Sequence, residues 1–142
     1  MKKIIFIMTL FTIAFNQHYN VEISQTGEST LFIFQNSITS LSIGDEIGLF
    51  DLNGILDDQG NIGEILVGAG TWEGSQLTIT SISSVDLSDF GGPILPGTLS
   101  GNNMFLKVWK TIEQTEYDVT YDVATGSGTF NGLFTAINAI NF

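Results

Sequence analysis

The side chains best suited to chemistry in this sequence are gathered in one acidic stretch. Asp51, Asn53, Asp57, Asp58, Asn61 and Glu64 fall within 14 residues, interleaved with Gly54, Gly60 and Gly63. Calcium takes about six to eight oxygen ligands from a flexible loop, so these side chains make a candidate calcium site. The spacing departs from the EF-hand rule, because the sixth position counted from Asp51 is Leu56 and the twelfth is Ile62. The competing account is a polar turn, since Asp, Asn and Gly are also what solvated β-connections use.

Catalytic equipment is sparse. A serine triad needs an imidazole base, and the sole histidine, His18, stands at the start of the predicted domain. Glu113 with Glu116, or Asp86 with Asp89, could supply a carboxylate pair for glycoside hydrolysis, yet each pair sits in a turn where acids are normally solvated. The run Val67-Gly68-Ala69-Gly70-Thr71-Trp72 imitates a dinucleotide loop, but no helix pattern follows, and alternate glycines in a strand mark close packing. The absence of cysteine removes disulfides, thiolate zinc sites and cysteine nucleophiles. These observations point away from an enzyme. Exposed aromatic faces stack on sugars, which makes Trp72, beside the turn at Glu73-Gly74, and Trp109 candidate ligand platforms. Tyr117 and Tyr121 share a strand face with Val119 and Val123 and are expected in the core.

The elements that must position these residues are strands. Gln76–Thr80, Met104–Lys110 and Tyr117–Val123 alternate with a period of two, and Leu31–Phe34 is apolar on both faces. Further strands are expected at His18–Ser24, Glu46–Phe50, Glu64–Trp72 and Leu133–Ile140, separated by Gly, Asn, Asp and Ser clusters. About eight or nine short strands without an amphipathic helix predict an all-β fold, a single antiparallel β-sandwich of immunoglobulin-like or jelly-roll-like form. Leu87–Asn103, with both prolines, reads as an irregular excursion ordered by Phe90, Ile94 and Leu95.

Lys2 and Lys3 precede the apolar run Ile4–Phe15, with small Ala14 near a cleavage point. That pattern predicts a secretory leader over residues 1–16, cleaved to leave one domain over 17–142, and the run is too short for a stable membrane span. The chain has 4 Lys and no Arg against 15 acids, for a net charge of -11. Such a surface repels a phosphate backbone, which excludes nucleic acid as a partner. Secretion to the extracellular space or cell surface is the expectation.

Gly44-Asp45-Glu46-Ile47-Gly48-Leu49-Phe50-Asp51, then Val67-Gly68-Ala69 and Val108-Trp109, resemble a β-sandwich domain of secreted surface proteins from Bacteroidetes-like bacteria, with its GDEIG-x-FD motif. The resemblance spans Ile43 to Trp109 and implies export and a non-catalytic surface role. Such domains usually sit within longer proteins that end in a sorting module, and this sequence stops after its last strand. The expected function is a structural subunit of a self-assembling surface filament or layer, a homopolymer joined by β-strand addition. The assembly strand would be the N-terminal segment, with Tyr19, Val21 and Ile23 filling alternate pockets of a neighbour. The alternative is a monomeric carbohydrate-binding or adhesive module whose partner is a surface polysaccharide.

Overall fold

A computed structural model describes residues 16–142, so the leader, apart from Asn16, lies outside the described residues. Nine strands follow: β1 (Ser29–Phe34), β2 (Glu46–Ile55), β3 (Ile62–Thr71), β4 (Leu77–Ile82), β5 (Val85–Asp86), β6 (Ile94–Leu95), β7 (Phe105–Lys110), β8 (Thr115–Thr125) and β9 (Phe134–Asn141). The period of two dictates which side chains enter the core. In β1, Thr30, Phe32 and Phe34 are buried, and in β7 Leu106 and Val108 are buried while Phe105, Lys107 and Trp109 take the opposite face. Ile47, Leu49, Val67, Ile79, Phe130 and Ile137 complete the interior with Trp72.

The all-β expectation holds, but the antiparallel sandwich needs correction. Seven strands form one mixed sheet in the order β3-β2-β7-β8-β9-β1-β4, nearly barrel-shaped, in which β1 and β9 run parallel. Alternation along a strand reports burial and is silent on the direction of its neighbour, so the parallel pair left no mark in the sequence. Strand β8 carries the curvature. Its first part, Thr115–Val119, pairs with β7, and its second, Thr120–Thr125, pairs with β9 through register shifts around Val123. Such irregularities bend a strand and re-aim its side chains. This explains why Val119 is buried as expected while Val123 is exposed; Tyr117, expected in the core, is exposed too, although it pairs in regular register with Val108.

The end strands β3 and β4 meet through side chains rather than a hydrogen-bonded ladder. A Cβ on Gly68 would lie 3.0 Å from Ile79 Cγ2 and 3.1 Å from the Thr80 carbonyl oxygen, and one on Gly70 would lie 3.1 Å from Ile79 and Leu77. The alternate glycines of β3 thus mark close packing, as read from the sequence. The excursion after β4 differs from expectation at one residue. Ile94 and Leu95 are half-buried, but Phe90, in a short 3-10 turn (Ser88–Phe90), is 89% exposed. No helix among the described residues is long and apolar enough to cross a membrane.

Because the seam tolerates no extra atom without displacement, Gly68→Ala should destabilise the domain by about 1–3 kcal/mol. The reading is a lower urea midpoint at unchanged slope. An unmoved midpoint would show that β3 and β4 have slack between them.

Candidate functional site

The segment Gly44–Asp51 enters and forms most of β2, and its composition is unusual for a strand. Ile47 and Leu49 face the core, yet Asp45, Glu46 and Asp51 are buried as well, at 1%, 8% and 1% exposure. Buried carboxylates need donors, and each of these three finds them in a different segment. Asp45 accepts from the Ser42 amide at 2.8 Å, the Thr111 amide at 3.3 Å and Lys110 Nζ at 2.9 Å. Lys110 also donates to the Ser40 carbonyl at 2.8 Å, which fixes the turn after β7 against the loop before β2. Asp51 accepts from the Asn53 amide at 2.9 Å, the Leu99 amide at 3.0 Å and Asn102 Nδ2 at 2.9 and 3.0 Å, binding the returning end of the excursion.

Glu46 holds the N-terminal segment. Its two oxygens receive the His18 amide at 3.0 and 2.9 Å, and Oε2 also receives the Tyr19 amide at 2.9 Å. Tyr19 is 3% exposed and lies against Gly48, where a Cβ would come within 3.1 Å of its ring and 2.8 Å of Phe50. Only glycine leaves that slot open. Tyr19 meets Phe50 edge-on at 5.8 Å, while His18 stacks on Trp109 at 3.8 Å with planes 5° apart and points Nε2 to Glu116 at 3.1 Å. The Tyr19 hydroxyl is buried without a hydrogen bond. Burial first, and then the neighbouring Glu116 carboxylate, push this phenol far above its usual range. At Glu116 burial acts upward, but His18, the nearby Tyr19 hydroxyl and Lys107 outweigh it and leave the carboxyl below its usual range.

The placement corrects the expected strand at His18–Ser24. Tyr19, Val21 and Ile23 do alternate, but residues 16–28 form no strand, and residues 16–27 make no backbone–backbone hydrogen bond among the described residues. The segment lies over the face of the sheet instead of along an edge, so side chains and one carboxylate hold it where a ladder was expected. Val21 is half-buried and Ile23 packs against the core.

The six candidate calcium ligands are dispersed. Asp51 turns to Leu99 and Asn102, Glu64 pairs with Lys107 at 2.6 Å, Asp58 is exposed, and Asp57 closes its own turn by accepting from Gln59, Asn61 and Asn61 Nδ2. The Asn61 donors hold the Asp57 carboxyl below its usual range. Among the described residues no group of three His, Cys, Asp or Glu is placed to hold a metal. Asp51 and Asn53 do share a groove of about 430 Å³, but there the Asn102 amide nitrogen occupies the oxygen cage, contacting both Asp51 oxygens and, at 3.3 Å, the Asn53 carbonyl.

The aromatic candidates separate. Trp72 is 3% exposed within the core cluster, so it offers no face to a sugar; it directly follows β3, its backbone bonded to Gly44 and Asp45, and its side chain points into the core. Trp109 is half-buried and its ring is covered by His18. It borders an open groove of about 1260 Å³ with Gln17, Ile43, Thr71, Ile112 and Gln114. Tyr121 is half-buried and donates to the Met104 carbonyl at 2.8 Å, whereas Tyr117 is exposed and donates to Glu113 at 2.7 Å. Sequence reasoning passed over Asp45, Glu46 and Asn102. The available signal was two acids at the head of an apolar strand in a chain with almost no cations to pair them. Compared with protein-family models, curated proteins and solved structures, the chain finds no match.

Asp51→Ala would strip acceptors from the Asn53 and Leu99 amides, at about 1–3 kcal/mol for each buried donor left unmade. A loss of about 3 kcal/mol or more in urea denaturation is expected. Asp57→Ala, in a solvated turn, should do much less. Millimolar calcium or a chelator should leave the wild-type melting temperature unchanged, because the Asn102 amide already fills the cage, and a calcium-dependent rise would overturn this account.

Proposed function

We propose that the chain is a non-catalytic extracellular structural protein, a subunit of a self-assembling surface filament or layer. Subunits join by addition of the N-terminal segment of one to the next. The observation that carries this reading is the mode of attachment of that segment. A buried aromatic ring and two amides on Glu46 fasten it at one end, while residues 20–27 make no ladder to their own domain among the described residues. A segment held by side-chain contacts and one carboxylate, without a ladder, can be exchanged between identical copies, since the neighbour offers the same partners.

Export fits the basic, then apolar, start of the sequence, and the resemblance of Gly44–Asp51 to secreted surface domains agrees with it. Strong negative charge opposes random association and leaves a specific contact to drive assembly. A second reading, a monomeric carbohydrate-binding or adhesive module, is favoured by the polar groove beside Asn102.

The test is negative-stain microscopy and sedimentation of the chain from residue 17, with and without residues 18–24. The intact chain should form filaments or sheets, and the deleted chain should stay a folded or near-folded monomer. Normal assembly without the segment contradicts segment exchange. An intact chain that is monomeric at every concentration contradicts the subunit reading and leaves the binding module.

A further inference from the structure

We infer that the groove between the bend of β2 and the start of β7 is a binding site for a neutral sugar, the hydroxyl-rich face of a pyranose. This site is separate from both tryptophans and from the N-terminal slot, and it stands whether or not the chain assembles. Its volume, about 430 Å³, falls among ordinary small-ligand pockets of about 300–1,000 Å³. Leu52, Asn53, Asn102, Asn103 and Phe105 line it, above the buried carboxylate of Asp51.

The chemistry of the wall selects the ligand. Asp51 is 1% exposed and accepts from four N–H contacts, so its charge is spent on fixing the chain. Among those contacts it grips the NH2 group of Asn102, which fixes the plane of that amide and leaves its carbonyl oxygen without a donor from any described residue. The Asn53 and Asn103 side chains likewise make no hydrogen bond within the described chain, although both border the groove. The Asn102 carbonyl, held in place, presents an acceptor, and the Asn53 and Asn103 amides present paired donors and acceptors, the pattern that vicinal hydroxyls match. Phe105, half-buried, and Leu52, 42% exposed, supply the apolar surface that a sugar's C–H face requires.

Other ligand classes fit less well. An anion would meet the buried Asp51 carboxylate and a chain of net charge -11. A cation would have to expel the Asn102 amide from the oxygen cage, at the cost of the hydrogen bonds that secure Leu99 and Asn102. A wholly apolar ligand would leave the Asn53 and Asn103 amides and the Asn102 carbonyl desolvated and unpaired.

The experiment is amide-detected NMR titration of the chain from residue 17 with glucose, galactose and mannose, and with cellohexaose, laminarihexaose and mannohexaose, at millimolar concentrations. Shifts should centre on the side-chain amides of Asn53, Asn102 and Asn103 and on Phe105. Binding by a monosaccharide assigns a single-residue subsite, and binding by a hexaose alone assigns a glycan chain. Asn103→Ala, on an exposed side chain, should weaken binding about tenfold, the loss of one or two hydrogen bonds, without moving the melting temperature. The inference is overturned if none of the six sugars perturbs these signals, if the shifts fall on His18 and Trp109 instead, or if Asn103→Ala binds as tightly as the wild type.

Discussion

Three carboxylates on or beside one strand, Asp45, Glu46 and Asp51, are buried in a chain with no arginine and only two lysines beyond its first residues. The fold is arranged around that constraint. A buried charge must be met by donors or it destabilises the structure, and here the donors are mostly backbone amides brought in from segments that belong to no common ladder. Asp45 draws in the loop before β2 and, through Lys110, the turn after β7. Glu46 draws in His18 and Tyr19, and Asp51 draws in Leu99 and Asn102. Strand β2 and the residue before it therefore fasten the irregular parts of the molecule with polar contacts, while Ile47 and Leu49 fasten the regular parts with apolar ones.

The surface proposed to act grows from the same strand. Glu46 and Gly48 form the slot for Tyr19, and the bend beyond Phe50 opens the groove around Asn53 and Asn102. The first is a contact the chain makes with itself and can make with a copy. The second faces outward and stays open whichever copy fills the slot. A surface subunit that also holds a sugar would need both to work at once, and their attachment to successive acids of β2 permits that.

Much of the fold was legible because a period of two is a direct consequence of pleating. The positions of β4, β7 and β8 followed from it, while β1 was read from its apolar run and β2, β3 and β9 from segments set between turn-forming clusters. What the period cannot encode is which strand lies beside which, so the parallel β1–β9 pair and the curl towards a barrel were hidden. It also misleads where a strand changes partners, as at Val123, and where alternating residues lie over a sheet rather than within one, as at Tyr19, Val21 and Ile23. Candidate sites were harder to read because residue type alone does not say where a side chain turns. Asp51, Asp57 and Glu64 are close in sequence and serve a distant loop, a local turn and a lysine. Trp72 stands next to a turn, yet it is core because the residue after β3 directs its side chain inward.

The claim that carboxylates, rather than ladders, secure these segments is open to one direct measurement, residue-resolved amide hydrogen exchange on the wild-type chain from residue 17. The amides of His18, Tyr19, Ser42 and Leu99 lie outside the named strands, and each donates to a carboxylate on or beside β2. Protection of these four approaching that of ladder amides such as those of Leu106 and Val108 is the predicted result. Exchange as fast as that of Glu22 and Gln25, which donate to no described partner, would contradict the account.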